Sequence, residues 1–331
     1  MCNLFSKVAR MGVFTGFLLM LASIAFAQIG PGTGNIRLRD ALDYDDDNKA
    51  DLTIFRPSNN VWYVSKSAGG FNFTQFGLAG QDFMTPGDYD GDGRGDIAVW
   101  RDTTGVWYRL NSSNGTFVGV QFGLTDDEPV ARDYDGDGKT DLAVVRRTGG
   151  NAIWYILRSS DGGFSALQYG LQTDFLAPGD FDGDGKFDMA IQRPGATPTS
   201  QALFYILRSS DGVTNVVSWG FSTDLFVPGD YDGDGKTDIA VVREGSTPTS
   251  NLVWYILRSS NGGLIAIEFG LTGSDINAQN DYDGDGRTEI AVWRDTNGVF
   301  YWLTSASGFI NFVGVQWGSP NDYPVASFDT H

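Results

Sequence analysis

Six short stretches of this 331-residue chain place carboxylates at positions 1, 3, 5 and 9 of a nine-residue loop. They are Asp43, Asp45, Asp47 and Asp51; Asp88, Asp90, Asp92 and Asp96; Asp133, Asp135, Asp137 and Asp141; Asp180, Asp182, Asp184 and Asp188; Asp230, Asp232, Asp234 and Asp238; and Asp281, Asp283, Asp285 and Glu289. Alternate side chains of a tightly turned loop converge on one centre, and calcium takes about 6 to 8 oxygen ligands. The main-chain carbonyl of position 7 would add one more, from Lys49, Arg94, Lys139, Lys186, Lys236 and Arg287. Position 6 is glycine in five loops and Asn48 in the first, the residues that best tolerate the positive φ of a sharp turn. Six in-register copies of four mutually repelling carboxylates predict one calcium ion per loop, about six in all.

A helix-flanked calcium loop would also need a bidentate Glu at position 12. Here that position is Ile54, Val99, Val144, Ile191, Val241 or Val292, so each loop joins two strands of a hairpin. The rest of the inventory is sparse. His331 is the only histidine and Cys2 the only cysteine, which removes Ser-His-Asp and Cys-His nucleophiles and His-ligated metals. A net charge of −18 argues against nucleic acid or an anionic membrane as partner. Outside the loops, Asp102, Asp126, Glu128, Asp161, Asp211 and Glu268 form no paired-carboxylate motif, so the chain is not expected to be an enzyme.

The loops open 45, 45, 47, 50 and 51 residues apart, the period of a propeller blade. Each unit reads as four short strands. One enters the loop and a nearly all-apolar one leaves it, as Ile239 to Val242; a third carries an aromatic pair; a fourth ends in aromatic-Gly. The pairs are Trp62-Tyr63, Trp107-Tyr108, Trp154-Tyr155, Phe204-Tyr205, Trp254-Tyr255 and Phe300-Tyr301. Their fixed register favours packing between blades over sugar-stacking platforms. The expected fold is an all-β propeller of four-stranded antiparallel blades, six of them, with seven including a partial blade as the alternative.

Asp82, Asp127, Asp174, Asp224 and Asp275 precede their loops by six residues, and Arg101, Arg146, Arg193, Arg243 and Arg294 follow the first loop Asp by thirteen. Counted from the loop centre the two face each other across the hairpin, which predicts an internal ion pair per blade rather than a ring of arginines for anionic ligands. Arg56 lacks an acidic partner in its own hairpin and Asp322 lacks a following arginine. The two are therefore expected to pair, with Pro324 to Phe328 closing the ring as a strand, although residues 36 to 42 also read as a first strand.

Residues 1–27 read as a signal peptide: Lys7 and Arg10, an apolar run from Met11 to Phe26, and Ala25-Phe26-Ala27 before Gln28. Its removal leaves a mature charge of −20, no cysteine and no span long enough for a membrane. A linker over 28–35 and a single propeller domain over 36–331 follow. The expected location is extracellular or periplasmic, and a monomer is expected.

Asp-x-Asp-x-Asp-Gly-x-x-Asp between two strands, followed by Ile-Ala-Val and an aromatic-Gly, resembles the FG-GAP/VCBS repeat of integrin α-subunit propellers and many secreted bacterial proteins. The resemblance covers about Asp43 to Asp329. It implies a secreted calcium-binding propeller for extracellular recognition or adhesion, with a protein or glycan partner and calcium in a structural role. A lectin-like propeller and a calcium-dependent polysaccharide lyase or hydrolase are the alternatives. The loops Gly195 to Gln201 and Gly245 to Asn251, on the face away from the Asp loops, are the candidate binding segments.

Overall fold

The computed structural model describes residues 41–327. Every apolar run that leaves an Asp loop becomes a strand covered on both faces. Ile239–Arg243, for example, is buried over its first four residues and pairs with Leu225–Phe226 on one side and Asn251–Leu257 on the other. Asn251–Leu257 alternates buried and part-buried residues, as a half-covered strand should, and Leu264–Leu271 completes the sheet on the outside. The described residues form six such four-stranded antiparallel sheets, the blades of a six-bladed β-propeller. The core lies between blades, where Trp62, Trp100, Trp154, Trp254 and Trp293 are at most 1% exposed. The aromatic pairs belong to this packing. Trp62, Trp107, Trp154 and Trp254 each donate the indole N–H to the carbonyl of the aromatic residue that ends the fourth strand.

All five expected Asp–Arg pairs form. They are bidentate, at 2.7 to 2.9 Å, with the carboxylate inside. Residues Asp82 and Arg101 are direct cross-strand neighbours, as are Asp275 and Arg294. Each guanidinium also lies over the tyrosine of its blade's aromatic pair, 4.5 to 4.9 Å from the ring centre.

Ring closure follows the same chemistry. Arg56 binds Asp322 at 2.7 and 2.8 Å and covers Tyr63 at 4.4 Å. The strand Leu52–Arg56 takes its inner neighbour from the far end of the chain, with Phe55 opposite Tyr323 and Ile54 opposite Pro324. The closing strand is shorter than expected: Tyr323–Pro324 pairs, and Val325–Ser327 turns into a 3-10 helix. A fourth strand for this blade is thus supplied without a seventh blade. The proposed strand 36–42 lies mostly outside the described residues, as do the signal peptide and linker; its last two residues, Ala41 and Leu42, are buried in a 3-10 helical turn rather than a strand. Among the described residues no helix is long and apolar enough to cross a membrane.

The closure depends on a pair whose acid is 2% and whose base is 29% exposed. Asp322→Ala leaves the arginine without its partner and should lower the unfolding free energy by about 2 kcal/mol in a urea titration. Asp161→Ala, which removes the exposed Arg158 partner, should leave the midpoint in place.

Candidate metal centre

Each of the later five Asp loops hangs between the inner and second strands of its blade, and the first leads into Leu52–Arg56, whose inner neighbour comes from the other end of the chain. In the later five loops the position-9 residue pairs with the residue just before position 1, as Gly87 with Asp96 and Gly229 with Asp238. The turn itself is built on the position-1 carboxylate. One oxygen of Asp88 accepts the N–H of Gly91 at 2.6 Å and the other accepts that of Gly93 at 2.9 Å, which bends the chain through two residues of positive φ. The same pattern repeats at Asp133, Asp180, Asp230 and Asp281. In the first loop Asp46 and Asn48 take the two positive-φ positions.

The position-9 carboxylate is held from both sides. One oxygen of Asp96 accepts the N–H of Tyr89 at position 2, the other the N–H of Ser112 from the turn between the third and fourth strands. Asp141, Asp188, Asp238 and Glu289 repeat both bonds, as does Asp51 with Tyr44 and Ser67.

These anchors bring positions 1, 3 and 9 together. Ligand oxygens of Asp43, Asp45 and Asp51 lie within 4.8 Å of one another, and the same holds for Asp88, Asp90 and Asp96, for Asp133, Asp135 and Asp141, and for Asp180, Asp182 and Asp188. Position 5 departs from the sequence expectation. It joins the cluster in the last loop, where Asp281, Asp283, Asp285 and Glu289 gather, but the first four clusters form without it. There the carboxylates of Asp47, Asp92, Asp137 and Asp184 accept the N–H of position 7 and tie down Lys49, Arg94, Lys139 and Lys186. Asp234 holds Lys236 in the same way, and Asp285 holds Arg287.

Residues that sequence reasoning passed over complete the site. A serine pair follows the third strand of the second to fifth blades, and its hydroxyls reach the loop. Ser159 Oγ donates to Asp137 at 2.8 Å and Ser160 Oγ to Asp135 at 2.6 Å. The recurrence of Ser-Ser at one register was the available signal. The loops are also linked to each other. The N–H of position 8 donates to the position-1 carbonyl of the preceding loop, at 2.7 to 2.8 Å, all the way round: Gly95 to Asp43, Thr140 to Asp88, Phe187 to Asp133, Thr237 to Asp180, Thr288 to Asp230, and Ala50 to Asp281. The glycine at position 4 also lies close to the next loop, although Asp46 stands there in the first loop and the bond from Gly95 still forms. A Cβ on Gly136 would sit 3.0 Å from the side chain of Lys186 in the next loop.

Whether a cation fits can be judged from the donors left over. One oxygen each of Asp90, Asp182 and Asp232, all at position 3, is buried and accepts no hydrogen bond. A buried carboxylate oxygen without a donor carries a large desolvation cost, and a metal ion inside the cluster removes it. The protonation equilibria point the same way. Burial pushes the carboxyls of Asp51, Asp88, Asp141, Asp180 and Asp238 up to about 7, those of Asp96, Asp133, Asp188 and Asp230 to about 6, and that of Glu289 to about 8, against the opposing pull of their backbone N–H donors. The clusters could thus hold metal ions, with oxygen-only donors suited to a hard dication.

Fold and site define a six-bladed propeller with one acidic loop per blade. The FG-GAP-like repeat model matches the chain at two places, residues 43–99 and 133–191, the stretches that hold the first four loops. A search of the curated proteins gives no match. Among solved structures, a streptogramin B lyase is similar at 11% identity over 87% of each chain, with a TM-score of 0.47. Hydrazine synthase of Kuenenia stuttgartiensis is similar at 11% identity, 90% of this chain, 82% of that one and a TM-score of 0.44. A dihydro-heme d1 dehydrogenase is similar at 14% identity over 90% of this chain and 60% of that one, with a TM-score of 0.34. These structures bear enzyme names, and they overturn the expectation that the chain is not an enzyme. One histidine and one cysteine are too coarse a filter to exclude catalysis, because carboxylates alone can serve as acid, base and nucleophile.

The raised carboxyls set a sign for the pH dependence. Between about pH 4 and 7 the folded, chelator-treated protein keeps protons that the unfolded chain has released, so stability falls as pH rises through that window. Melting temperature in EDTA should therefore decrease from pH 5 to pH 8. Excess divalent cation should reverse the slope, because protons then compete with the metal. A melting temperature that rises with pH in EDTA would show that these carboxylates are not clustered and buried in solution.

Proposed function

We propose that this protein is a secreted, calcium-binding propeller that serves as an extracellular recognition or adhesion module, its calcium structural. The observation that carries the reading is the buried, unpartnered position-3 oxygen in repeated cages of three or more carboxylates. Positions 1, 3 and 9, with the carbonyl of position 7, would hold the ion. What calcium supplies is charge neutralisation and a cross-link within each loop, the part that disulfides play in other exported proteins.

With the Asp loops committed to the scaffold, recognition falls to the opposite face. The segments 195–201 and 245–251 lie there, exposed at their tips and closed by short bonds such as Thr197 to Ser200 and Thr247 to Ser250. A glycan is favoured as ligand by a second observation. An open cavity of about 230 Å³ at the closure seam is lined by Ile54, Arg56, Tyr63, Phe73, Trp317 and Gly318; Arg56 is already held by Asp322 and Tyr63, so the lining offers mainly aromatic surface, of the kind on which a sugar face can stack.

Calcium titration of the metal-stripped protein tests the reading. Near six bound ions should appear by calorimetry, with a large rise in melting temperature. At tenfold the dissociation constant each ion adds about 1.4 kcal/mol, or about 8 kcal/mol for six. No binding, or binding without stabilisation, would overturn calcium as a structural ion. For the ligand, glycan-array binding lost in Phe73→Ala would favour the seam cavity, and unchanged binding would direct attention to the 195–201 and 245–251 loops.

A further inference from the structure

The six loops differ in how firmly their turns are held from outside. In the second to fifth blades two serines clamp each cage. The first, Ser112, Ser159, Ser209 or Ser259, donates its hydroxyl to position 5 at 2.8 Å. The second, Ser113, Ser160, Ser210 or Ser260, donates to one oxygen of position 3 at 2.5 to 2.6 Å. That second bond decides which position-3 oxygen faces the cage, and in Asp90, Asp182 and Asp232 the other oxygen is the buried one without a donor. The sixth loop has one hydroxyl clamp: Ser305 reaches Asp285 and Glu289, and Ala306 follows.

In the first loop neither clamp forms. The Ser67 hydroxyl turns to Asp51 at position 9, and the next residue is Ala68. Asp46 and Asn48 hold φ of 63° and 66° where the other five loops have glycine, a backbone region costly for residues with a Cβ. This loop also stands at the seam. Its Ala50 N–H makes the bond to Asp281 that completes the inter-loop ring, and the strand it feeds, Leu52–Arg56, is the one paired with the chain's other end.

We propose, on the calcium reading above, that the first loop is the weakest of the six cation sites and that its emptying loosens the ring at the closure seam. In the clamped loops the carboxylates at positions 3 and 5 are oriented before the cation arrives. In the first loop position 5 has only the Lys49 N–H and neither carboxylate has a serine donor, so more ordering accompanies binding, and the conformational entropy lost is subtracted from affinity. Ser113, Ser160, Ser210 and Ser260 are therefore positioning residues, and the propeller responds to falling calcium at one place rather than at all blades together.

Stepwise calcium removal from the purified protein, followed by ion stoichiometry and hydrogen exchange, tests this. One ion should leave at about tenfold higher free calcium than the rest, a difference of the size that ordering a few unclamped side chains implies. Exchange in residues 50–56 and 323–326 should rise at that step while residues 239–243 stay protected. Ala68→Ser should move the seam transition to lower calcium, and Ser160→Ala should weaken one site without exposing the seam. Six ions leaving together, or a seam transition unmoved by Ala68→Ser, overturns the inference while the calcium reading stands. No ion bound at any loop overturns that reading and the inference with it.

Discussion

Burial of like charge is the constraint around which this molecule is arranged. Asp88, Asp96, Asp141, Asp188 and Glu289 are fully buried, each beside other carboxylates. Backbone N–H groups take up some of this charge, since positions 1 and 9 accept two each. They do not reach the inner oxygens at position 3. Those oxygens leave room in the clusters for a metal ion, and the same loops form the continuous inter-loop hydrogen-bond ring. Whatever neutralises one loop therefore also steadies its two neighbours.

Away from the cages, charge is handled by pairing. Every blade holds a bidentate Asp–Arg pair under a tyrosine, at the end of the strand far from the loop. One end of each hairpin is thus anchored by fixed charges within the chain, and the other carries clustered carboxylates that could hold a metal ion. The seam uses the first device between the two ends of the chain, through Arg56 and Asp322, and adjoins the loop that is least well supplied with serine donors. The leftover acids of the sequence are similarly local: Glu128 pairs with Arg147, Asp211 with Arg208, and Glu268 accepts from Asn251.

Much of the blade is legible in the chain itself. The 45- to 51-residue period predicts blades, because a unit of that length accommodates four short strands and a loop. The Asp–Arg pairs are legible because antiparallel register converts equal distances from a turn into direct opposition, as Asp82 and Arg101 show. The serine clamps escape a reading of spacing although Ser-Ser recurs in four units, since nothing in the sequence says that the turn after the third strand lies against the Asp loop. The closing strand is shorter than its residue pattern suggests because periodicity does not reveal that Val325 must turn.

By itself, then, the sequence determined what local and cross-turn spacing can determine: the fold class, the repeat, the acidic loops and the partners within each hairpin. Only the tertiary structure decided which carboxylates meet. Position 5 accepts the position-7 N–H, and in five loops also a serine hydroxyl, a donor that becomes a neighbour only when the blade's outer turn folds over the loop. Tertiary structure likewise decided how the loops join one another and why the first differs from the rest, since contacts between blades depend on closing the ring, and closure brings together residues from opposite ends of the chain.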